Sequence, residues 1–259
     1  MHREELLSEL DTLLSPALIK DYCPNGLQVE GKAQINKVVT GVTASQALIE
    51  SAIKQQADAI LVHHGYFWKN EPYSIVGMKK RRISRLLQHD INLFAYHLPL
   101  DVHPSMGNNA MLGKVLGISA VRPIETITPE GIVMVGELSS PASHAELAGR
   151  FESALGRKSI SIGNKDTIRR LAWCTGGGQG YIDHFAALQG DSPTSHHRID
   201  AFISGEISEQ TTHSARELDI DYFALGHHAT ERYGVKTVGE YLQSTFGLEV
   251  SFVDIDNPA

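Results

Sequence analysis

The histidines of this sequence, and the acids near them, are its most informative feature. The chain contains 13 histidines in 259 residues. Several follow short apolar runs, and for two of these, His97 and His227, an acidic residue stands four positions later. Imidazole and carboxylate groups gathered in one place can bind a transition metal or transfer protons. The residues in this pattern are His63, His64, His97, Asp101, His227 and Glu231.

Mixed nitrogen and oxygen ligands favour certain ions. They suit Zn²⁺, Mn²⁺, Fe²⁺, Co²⁺ or Ni²⁺, whereas Ca²⁺ and Mg²⁺ prefer oxygen ligands alone. Cys23 and Cys174 are the only cysteines, too few for a thiolate cage or a disulfide framework. One catalytic ion needs about three protein ligands. The larger set therefore indicates two divalent ions, one carboxylate bridging them, in a site that could activate water.

Ordinary structural roles compete with this interpretation. A single histidine at the end of a strand is more often a hydrogen-bonded structural residue than a ligand. We interpret His196 and His197 as a surface pair, because Ser, Pro, Thr and Asp surround them. His103, His144 and His213 receive the same structural interpretation.

Short strands with helices between them must position these residues. Residues 37–42 predict a β-branched strand, and Thr43 with Gln46 predicts the capping box of the helix that follows. Residues 59–62 form the continuous apolar run typical of a buried parallel strand. This order predicts a βαβ unit, with the histidines at the carboxyl ends of strands, where open α/β sheets bind ligands.

The local geometry of the candidate ligands sets two conditions. Neighbouring residues on a strand point to opposite sides, so His63 and His64 face one site only if Gly65 introduces a bulge or turn. His227 and Glu231 face the same way if their segment is helical, because four positions make about one helical turn.

The rest of the chain continues the alternation of strands and helices. Further predicted strands are 91–97, 131–138, 169–174, 201–204, 222–225 and 250–253. Further predicted helices are 1–14, 78–89, 108–116, 143–156, 179–188, 208–218 and 234–246.

The two halves of the sequence resemble each other in three ordered blocks. The matched blocks are 38–49 with 172–182, 57–64 with 199–206, and 94–101 with 223–231. Matching Thr40 to Thr175 gives the second half seven extra residues, for which 191–198 is the obvious surface insertion. The same match makes Glu206 the counterpart of His64. Chance similarity between two α/β halves is the alternative explanation.

The repeat predicts the fold class. We expect an α/β protein with two similar interlinked domains from an internal duplication, residues 1–126 and 127–259. We expect the dinuclear metal site in the crevice between these domains.

Composition excludes several classes of protein. The hydrophobic fraction of 42% and the charged fraction of 20% are ordinary for a globular protein. No apolar run approaches the ~18 residues of a membrane span, and the first 14 residues lack the apolar core of a signal peptide. A net charge of −7 argues against sequence-independent nucleic-acid binding. These features predict a cytoplasmic protein without membrane or nucleic-acid partners.

Other residues could contact a substrate of unknown identity. Tyr66 and Trp68 could cover a flat molecule, although packing is the commoner role of such aromatics. Glu206 could line the site or cap the helix after it. A basic stretch could bind phosphate or be a solvated helix face; its members are Lys69, Lys79, Lys80, Arg81 and Arg82.

Seven motifs make the chain resemble the bacterial branch of the NGG-interacting-factor-three-like family, whose members are often named GTP cyclohydrolase I type-two homologues. The resemblance covers essentially the whole chain. The motifs are PNGLQ at 24–28, VHHGYFW at 62–68, HLPLD at 97–101, GNN at 107–109, CTGGG at 174–178, SGE at 204–206 and GHHATE at 226–231.

The resemblance implies a three-layer α/β fold, a dinuclear metal site and a homo-oligomer in the form of a toroidal hexamer. It also implies a ligand set, with Glu231 as the bridging carboxylate. The implied ligands are His63, His64, Asp101, His227 and Glu231. His97 lies outside that set, and we expect it to act either as a catalytic general acid/base or as a partner of a ligand.

Two functions are compatible with these residues. The first is a metal-dependent hydrolase that acts on a nucleotide-like substrate, a cyclic amide or a phosphoester. The second is a non-catalytic metal-binding ring assembly or regulatory interaction protein. Five ligands on two ions would leave coordination positions for water, which favours the first.

Overall fold

The computed structural model describes residues 1–187 and 198–259, and these divide into two compact units. Unit 1 comprises Met1–Met106 and Arg232–Asp256, and unit 2 comprises Gly107–Glu231 and Asn257–Ala259. The first stretch of unit 1 thus ends at Met106, whereas the predicted boundary follows residue 126. Unit 1 also contains the last helix and strand of the chain, because that strand pairs in the first sheet. His196, His197 and nearly all of the predicted insertion lie outside the described residues.

The elements follow one another in an alternating α/β order. Up to residue 106 they are α1 (Arg3–Leu14), β1 (Gly26–Val29), β2 (Lys37–Thr43), α2 (Gln46–Lys54), β3 (Ala59–His64), α3 (Gly77–Gln88), β4 (Asn92–Ala95) and α4 (Leu98–Val102). Next come α5 (Asn108–Val115), β5 (Ser119–Pro123), β6 (Met134–Ala142), α6 (His144–Leu155), β7 (Ile160–Ile162), β8 (Ile168–Cys174), a 3-10 helix (Gln179–Ala187), β9 (Ala201–Ser204), α7 (Glu209–Glu217), β10 (Asp221–Ala224) and α8 (His227–Thr230). The chain ends with α9 (Arg232–Phe246) and β11 (Glu249–Phe252).

Unit 1 is a three-layer structure around one sheet of order β1-β4-β3-β2-β11. Alternate strand residues belong to two separate apolar clusters, as the two faces of a sheet require. Val39, Ile60 and Leu93 pack with residues of α2 and α3. Val38, Leu61 and Phe94 pack with residues of α1 and α9.

The sheet of unit 2 repeats the central pattern of the first. Its order is β5-β6-β8-β9-β10-β7. The strands β8, β9 and β10 are parallel, as are β2, β3 and β4, and each set has an antiparallel strand beside its last member. Two sheets with helices and the same parallel centre confirm the predicted α/β class and its duplication.

One pair of aspartates shows how closely the two units correspond. The Asp58 carboxylate accepts the backbone N–H groups of Asn36 and Lys37 at 2.9 and 3.1 Å. The Asp200 carboxylate accepts those of Arg169 and Arg170, both at 2.9 Å. Each aspartate thus ties the start of one parallel strand to the start of the next. The sequence match of residues 57–64 with 199–206 is confirmed here in the hydrogen bonds.

The match of Thr40 to Thr175 is wrong by two residues. Thr40 lies opposite Leu61 in the first sheet, and Trp173 lies opposite Ile203 in the second. Because Leu61 and Ile203 each stand three positions after the matched aspartate, Trp173 is the counterpart of Thr40. The second half therefore has nine extra residues before Asp200 (27 against 18) rather than seven.

The helix starts show where local sequence signals succeed and fail. Ser143 and Glu146 form the predicted capping box of α6. The predicted cap of α2 at Thr43 is wrong, because Thr43 is the last residue of β2 and the Ser45 side chain accepts the N–H of Leu48 instead. Among the described residues, the helices are too short or too polar to cross a lipid bilayer.

Candidate metal centre

The His63-His64 pair ends strand β3, and its two rings lie close together. Their centroids are 4.5 Å apart. The β2–β3 pairing keeps one register from Val38 opposite Ala59 to Thr43 opposite His64, so β3 is regular up to its last residue. The bulge or turn at Gly65 lies beyond this pairing and stays a prediction. The rings of His63, His64 and His97 each offer one nitrogen, and these nitrogens lie within 4.8 Å of one another. His63 and His64 end β3 and His97 follows the neighbouring strand β4, so the three imidazoles meet at the ends of two parallel strands.

Hydrogen bonds fix the orientation of the two β3 rings. The Nδ1 atom of His63 is 3.0 Å from the Tyr96 carbonyl oxygen, and that of His64 is 3.1 Å from the Thr43 hydroxyl. A carbonyl oxygen only accepts hydrogen bonds, so Nδ1 of His63 carries a proton. In the neutral ring, Nε2 of His63 then presents a lone pair, as a metal ligand requires.

The Asp101 carboxylate lies beside Nε2 of His63, at 3.5 Å. Helix α4 positions it: His97 is the N-cap residue, and the N–H of Asp101 donates to the His97 carbonyl at 3.2 Å. Pro99 in the first turn suits a helix start, because its missing N–H needs no partner there. Asp101 is only 4% exposed and His63 is fully buried. A carboxylate taken out of water in this way needs a compensating charge or hydrogen bond.

His97 is held by a carboxylate that sequence reasoning missed. Its Nδ1 atom is 2.7 Å from Oδ1 of Asp21. The Asp21 carboxylate also accepts from the backbone N–H of Leu98 at 2.9 Å and from the Asn25 amide at 2.9 Å. Burial raises the pKa of Asp21, but the hydrogen bonds from His97 and Asn25 outweigh it and hold this pKa below its usual value. Asp21 is thus a charged acceptor that fixes the His97 ring.

The second set of candidate ligands belongs to unit 2, on the short helix α8. His227 begins this helix and Glu231 caps its end, which confirms the predicted helical segment. Nε2 of His227 is 3.1 Å from Oε2 of Glu231. Its Nδ1 is 2.7 Å from Oε1 of Glu206. The imidazole of His227 therefore has a carboxylate at each nitrogen.

The two carboxylates determine the charge of His227. Burial lowers the pKa of His227, but Glu231 and Glu206 together raise it to about 9. The ring is therefore protonated at neutral pH when no metal is bound. Metal binding at Nε2 would release that proton, because a ligand nitrogen must be unprotonated.

Glycines make room for the Glu231 carboxylate. Gly176 has φ +60°, and a side chain there would collide with the carboxylate of Glu231. The N–H of Gly176 donates to the Thr230 hydroxyl at 3.0 Å, and its carbonyl accepts from the N–H of Gly205 at 2.9 Å. The CTGGG and SGE motifs thus bring bare backbone against α8. Glu231 itself is only 3% exposed.

The donor chemistry in both units fits a divalent transition metal. In His63 and in His227, Nδ1 is hydrogen-bonded to an oxygen acceptor and Nε2 faces a buried carboxylate. Histidines that bind metals typically donate their other ring N–H in this way, which fixes the tautomer and the ring orientation. Nitrogen and carboxylate donors together suit Zn²⁺, Mn²⁺, Fe²⁺, Co²⁺ or Ni²⁺.

The structure shows which of the other candidate substrate contacts are engaged within the protein and which are exposed. Tyr66 is 4% exposed, and its hydroxyl donates to the Ala44 carbonyl, so it is a packing residue. Lys79 is paired with Glu71 at 3.4 Å. Lys80 and Arg81 are exposed on α3.

The histidines interpreted as structural have ordinary protein contacts. His144 is hydrogen-bonded to Asp221 and Ser161 at 2.7 and 2.9 Å. His213 pairs with Glu209 on the exposed surface of α7 at 3.0 Å. His103 accepts the backbone N–H of Met106 at 3.1 Å. None of these rings takes part in the ligand groups just described.

Comparison with known proteins places the chain in a family. Residues 1–258 match the family described as Duf34/NIF3 (NGG1p interacting factor 3). The chain is 55% identical over 261 residues to the "GTP cyclohydrolase 1 type 2 homolog" of Vibrio cholerae, with 100% of both chains covered. A solved structure of "protein ybgI" is 50% identical, with a TM-score of 0.92 and 100% of both chains covered. A solved protein of Thermus thermophilus is 32% identical, with a TM-score of 0.87 and full coverage of both chains. On this evidence the chain belongs to the Duf34/NIF3 family.

Proposed function

We propose that this protein binds two divalent transition-metal ions and hydrolyses a nucleotide-like molecule or a related cyclic amide or phosphoester. The proposed ligands of unit 1 are His63, His64 and Asp101, and those of unit 2 are His227 and Glu231. The observation that carries the proposal is the recurring pair of a buried carboxylate and an imidazole whose Nδ1 is already engaged. That pair occurs in both units, His63 with Asp101 and His227 with Glu231.

Metal ions in such a set would act as Lewis acids and lower the pKa of water. The chain itself supplies a group for moving protons, His97. Asp21 accepts a hydrogen bond from Nδ1 of His97, so Nε2 is the atom that can take or give a proton. The backbone N–H of His97 donates to Asn25 at 2.7 Å, which fixes the backbone as well as the ring.

Metal analysis of the purified protein tests the ligand assignment. We expect about two ions per chain after loading with Zn²⁺, Mn²⁺ or Co²⁺ and removal of the excess. His63→Ala and Glu231→Ala should each lower that number, while His213→Ala, which removes an exposed histidine of α7, should leave it unchanged. Unchanged metal content in both ligand variants would contradict the assignment.

Turnover by the metal-loaded protein tests the reaction class. The panel should include GTP, other nucleotides and generic phosphoesters, each assayed with and without metal. A hydrolase should turn over at least one of these compounds only when metal is bound. His97→Gln should then reduce kcat by about 100-fold or more without loss of metal, because it removes the proton-transferring nitrogen.

The family description favours a second candidate function. Members are described by an interaction with another protein, NGG1p. The alternative is therefore a metal-binding assembly without catalysis, and the family resemblance adds the expectation of a toroidal hexamer. Full metal occupancy with no turnover on the panel would support this alternative. Light scattering of the eluting protein measures the oligomeric state independently of both functions.

A further inference from the structure

Two aromatic side chains of unit 1 flank His97 instead of packing in the core. The indole of Trp68 is 4.9 Å from the His97 ring, edge-on at 84°, and 5.9 Å from the His64 ring. The Tyr22 ring is 6.3 Å from His97 on the segment that carries Asp21, and Tyr22 is 59% exposed. Trp68 is half-buried. In contrast, Tyr66 and Phe67 pack against the apolar core of the unit.

The loop after β3 is built to hold Trp68 in this place. Phe67 has φ +66°, a conformation that a bulky residue rarely adopts. Such a conformation persists only where surrounding contacts impose it. The contacts here are hydrogen bonds from the N–H groups of Phe67 and Trp68 to one oxygen of Glu71, at 2.7 and 3.2 Å.

Lys79 secures this loop from helix α3. Its ammonium lies 3.4 Å from the same Glu71 oxygen and 4.7 Å above the Phe67 ring, and it donates to the Pro72 carbonyl at 3.1 Å. The N–H of Lys69 donates to the Tyr22 carbonyl at 2.7 Å. That bond links the Trp68 loop to the Tyr22 segment, so the two aromatic residues are held together around His97.

We propose that Tyr22 and Trp68 form a binding site for a planar heteroaromatic ring beside His97. The inference rests on the proposed function and names the substrate class of that site. Aromatic side chains contribute to the binding of flat bases by stacking, whatever hydrogen bonds the base makes. Among the described residues, the Tyr22 ring contacts the His97 ring, and the Trp68 ring contacts those of His64 and His97, so both aromatic faces lie at the histidine cluster. Lys79 is engaged by Glu71 and Phe67, so its ammonium holds the loop in place.

Calorimetric titration of the full-length protein with guanosine tests this site. Guanosine carries a planar base without phosphate, and ribose is the non-aromatic control. We expect guanosine to bind and ribose not to bind. Trp68→Leu should weaken guanosine binding by about 5- to 150-fold, the range measured for loss of one stacking partner. Trp68→Phe should keep most of the affinity, because an aromatic face remains.

Two further variants separate stacking from general damage. Tyr22→Ala should weaken guanosine binding in the same direction as Trp68→Leu. Tyr73→Ala removes an aromatic residue of the same loop that is 96% exposed, and it should leave guanosine affinity unchanged.

Trp173 is fully buried, so the difference in tryptophan emission between wild type and Trp68→Phe reports on Trp68 alone. Guanosine should quench that difference signal, and a signal insensitive to guanosine would contradict the site.

Metal content measured on the same samples keeps the two proposals apart. Guanosine that fails to bind a fully metal-loaded protein, or binds Trp68→Leu as tightly as wild type, overturns the aromatic site and leaves metal binding standing. Equal binding of ribose and guanosine also overturns it. A protein that takes up no metal but binds guanosine through Trp68 would overturn the proposed metal function alone.

Discussion

The two units use the same strand positions for different chemistry. Counting from the matched aspartates, His63 of unit 1 corresponds to Gly205, and His64 corresponds to Glu206. By the register of the next strand, His97 corresponds to Gly226. Where unit 1 carries three imidazoles, unit 2 carries two glycines and a carboxylate.

The duplicated fold fixes where the strands end, whereas the side chains at those ends differ between the two units. In unit 2 the bare backbone at Gly205 lets helix α8 lie close to the end of β9, and Gly226, with φ +101°, begins that helix. Helix α8 then supplies His227 and Glu231. Unit 1 offers mostly nitrogen atoms, whereas unit 2 surrounds one imidazole with two carboxylates. We expect the two units to respond differently to the same kind of substitution.

The largest effect on stability is expected at Gly205, because unit 2 has no room for a side chain at the position where unit 1 carries His63. A Cβ at Gly205 would lie 2.6 Å from the Gly176 carbonyl oxygen and 2.7 Å from Cα of His227. Both neighbours are backbone atoms, so Gly205→Ala should lower the free energy of unfolding by about 3 kcal/mol, measured by urea denaturation. Gly149→Ala on the exposed side of α6 meets nothing within 4 Å and should stabilise by about 0.5–1 kcal/mol. A Gly205→Ala protein as stable as wild type would contradict the close packing.

The second prediction compares the carboxylates that hold the two histidines. Glu206 is 46% exposed and holds His227, whereas the Asp21 side chain is 3% exposed and holds His97. Glu206→Gln should weaken metal binding by about 10- to 100-fold, because it loosens a ligand, and should barely change the unfolding temperature. Asp21→Asn should instead keep the metal and lower the free energy of unfolding by about 1–3 kcal/mol, because a buried acceptor of several hydrogen bonds is lost.

Metal affinity from a competition assay and unfolding by heat measure the two effects separately. The metal assay needs a chelating indicator and apo protein of each variant. Comparable metal loss in both variants would show that His97 is also a ligand. Comparable destabilisation in both variants would show that the burial of the carboxylate does not determine its contribution to stability.

Strong local signals predicted most of the scaffold. The apolar run at 59–62 became β3, and the Ser143 capping box became the start of α6. The strands missed were short ones at or near the sheet edges, β1, β5 and β7, which have few residues and depend on pairing with distant partners. Their sequences carry no continuous apolar run.

The cluster of histidines and carboxylates could be predicted from the sequence, but the hydrogen bonds that hold it could not. Histidines after apolar runs could be found because the end of a strand is a local feature. The contact between Asp21 and His97 joins residues 76 positions apart, so no spacing rule could reveal it. The local signal was Asp21 standing four positions before Asn25 and three before the Pro-Asn-Gly turn. The two-residue error at Thr40 has a similar cause, because a short Thr-Gly match outweighed the strand register that only pairing defines.

The third prediction uses the matched aspartates, Asp58 and Asp200. Asp58 accepts the Lys32 ammonium at 2.8 Å besides its two backbone N–H groups. Burial raises the pKa of Asp58, but Lys32 and the two N–H groups outweigh it and lower the pKa below 3.8. Asp58→Asn should therefore lower the free energy of unfolding by about 2 kcal/mol at pH 7, and Asp200→Asn by about 1 kcal/mol.

The stabilisation by the Asp58 carboxylate should depend on pH. Because the folded-state pKa is lowered, its stabilisation is complete above the unfolded-state pKa and is lost as the pH falls below 3.8 through the folded-state value. The stability difference between wild type and Asp58→Asn should thus shrink in urea denaturation at about pH 3. A difference that stays constant from pH 7 to pH 3 would mean that the carboxylate charge contributes nothing.

The smallest effects are expected at two hydroxyl residues before α2, Thr43 and Ser45, which have different roles. Ser45 caps the helix through its bond with the N–H of Leu48, and Thr43 contacts Nδ1 of His64 at 3.1 Å. Ser45→Ala should lower the free energy of unfolding by about 0.5–1 kcal/mol and leave metal affinity unchanged. Thr43→Val, which keeps the shape of the side chain, should leave the helix intact and weaken metal binding by about 10-fold. The sequence Thr-Ala-Ser-Gln offers two equally good caps, and only the strand pairing decides that Thr43 belongs to β2 and to His64. If the two variants showed the opposite pattern, the strand would end earlier and the His64 ring would lack its anchor.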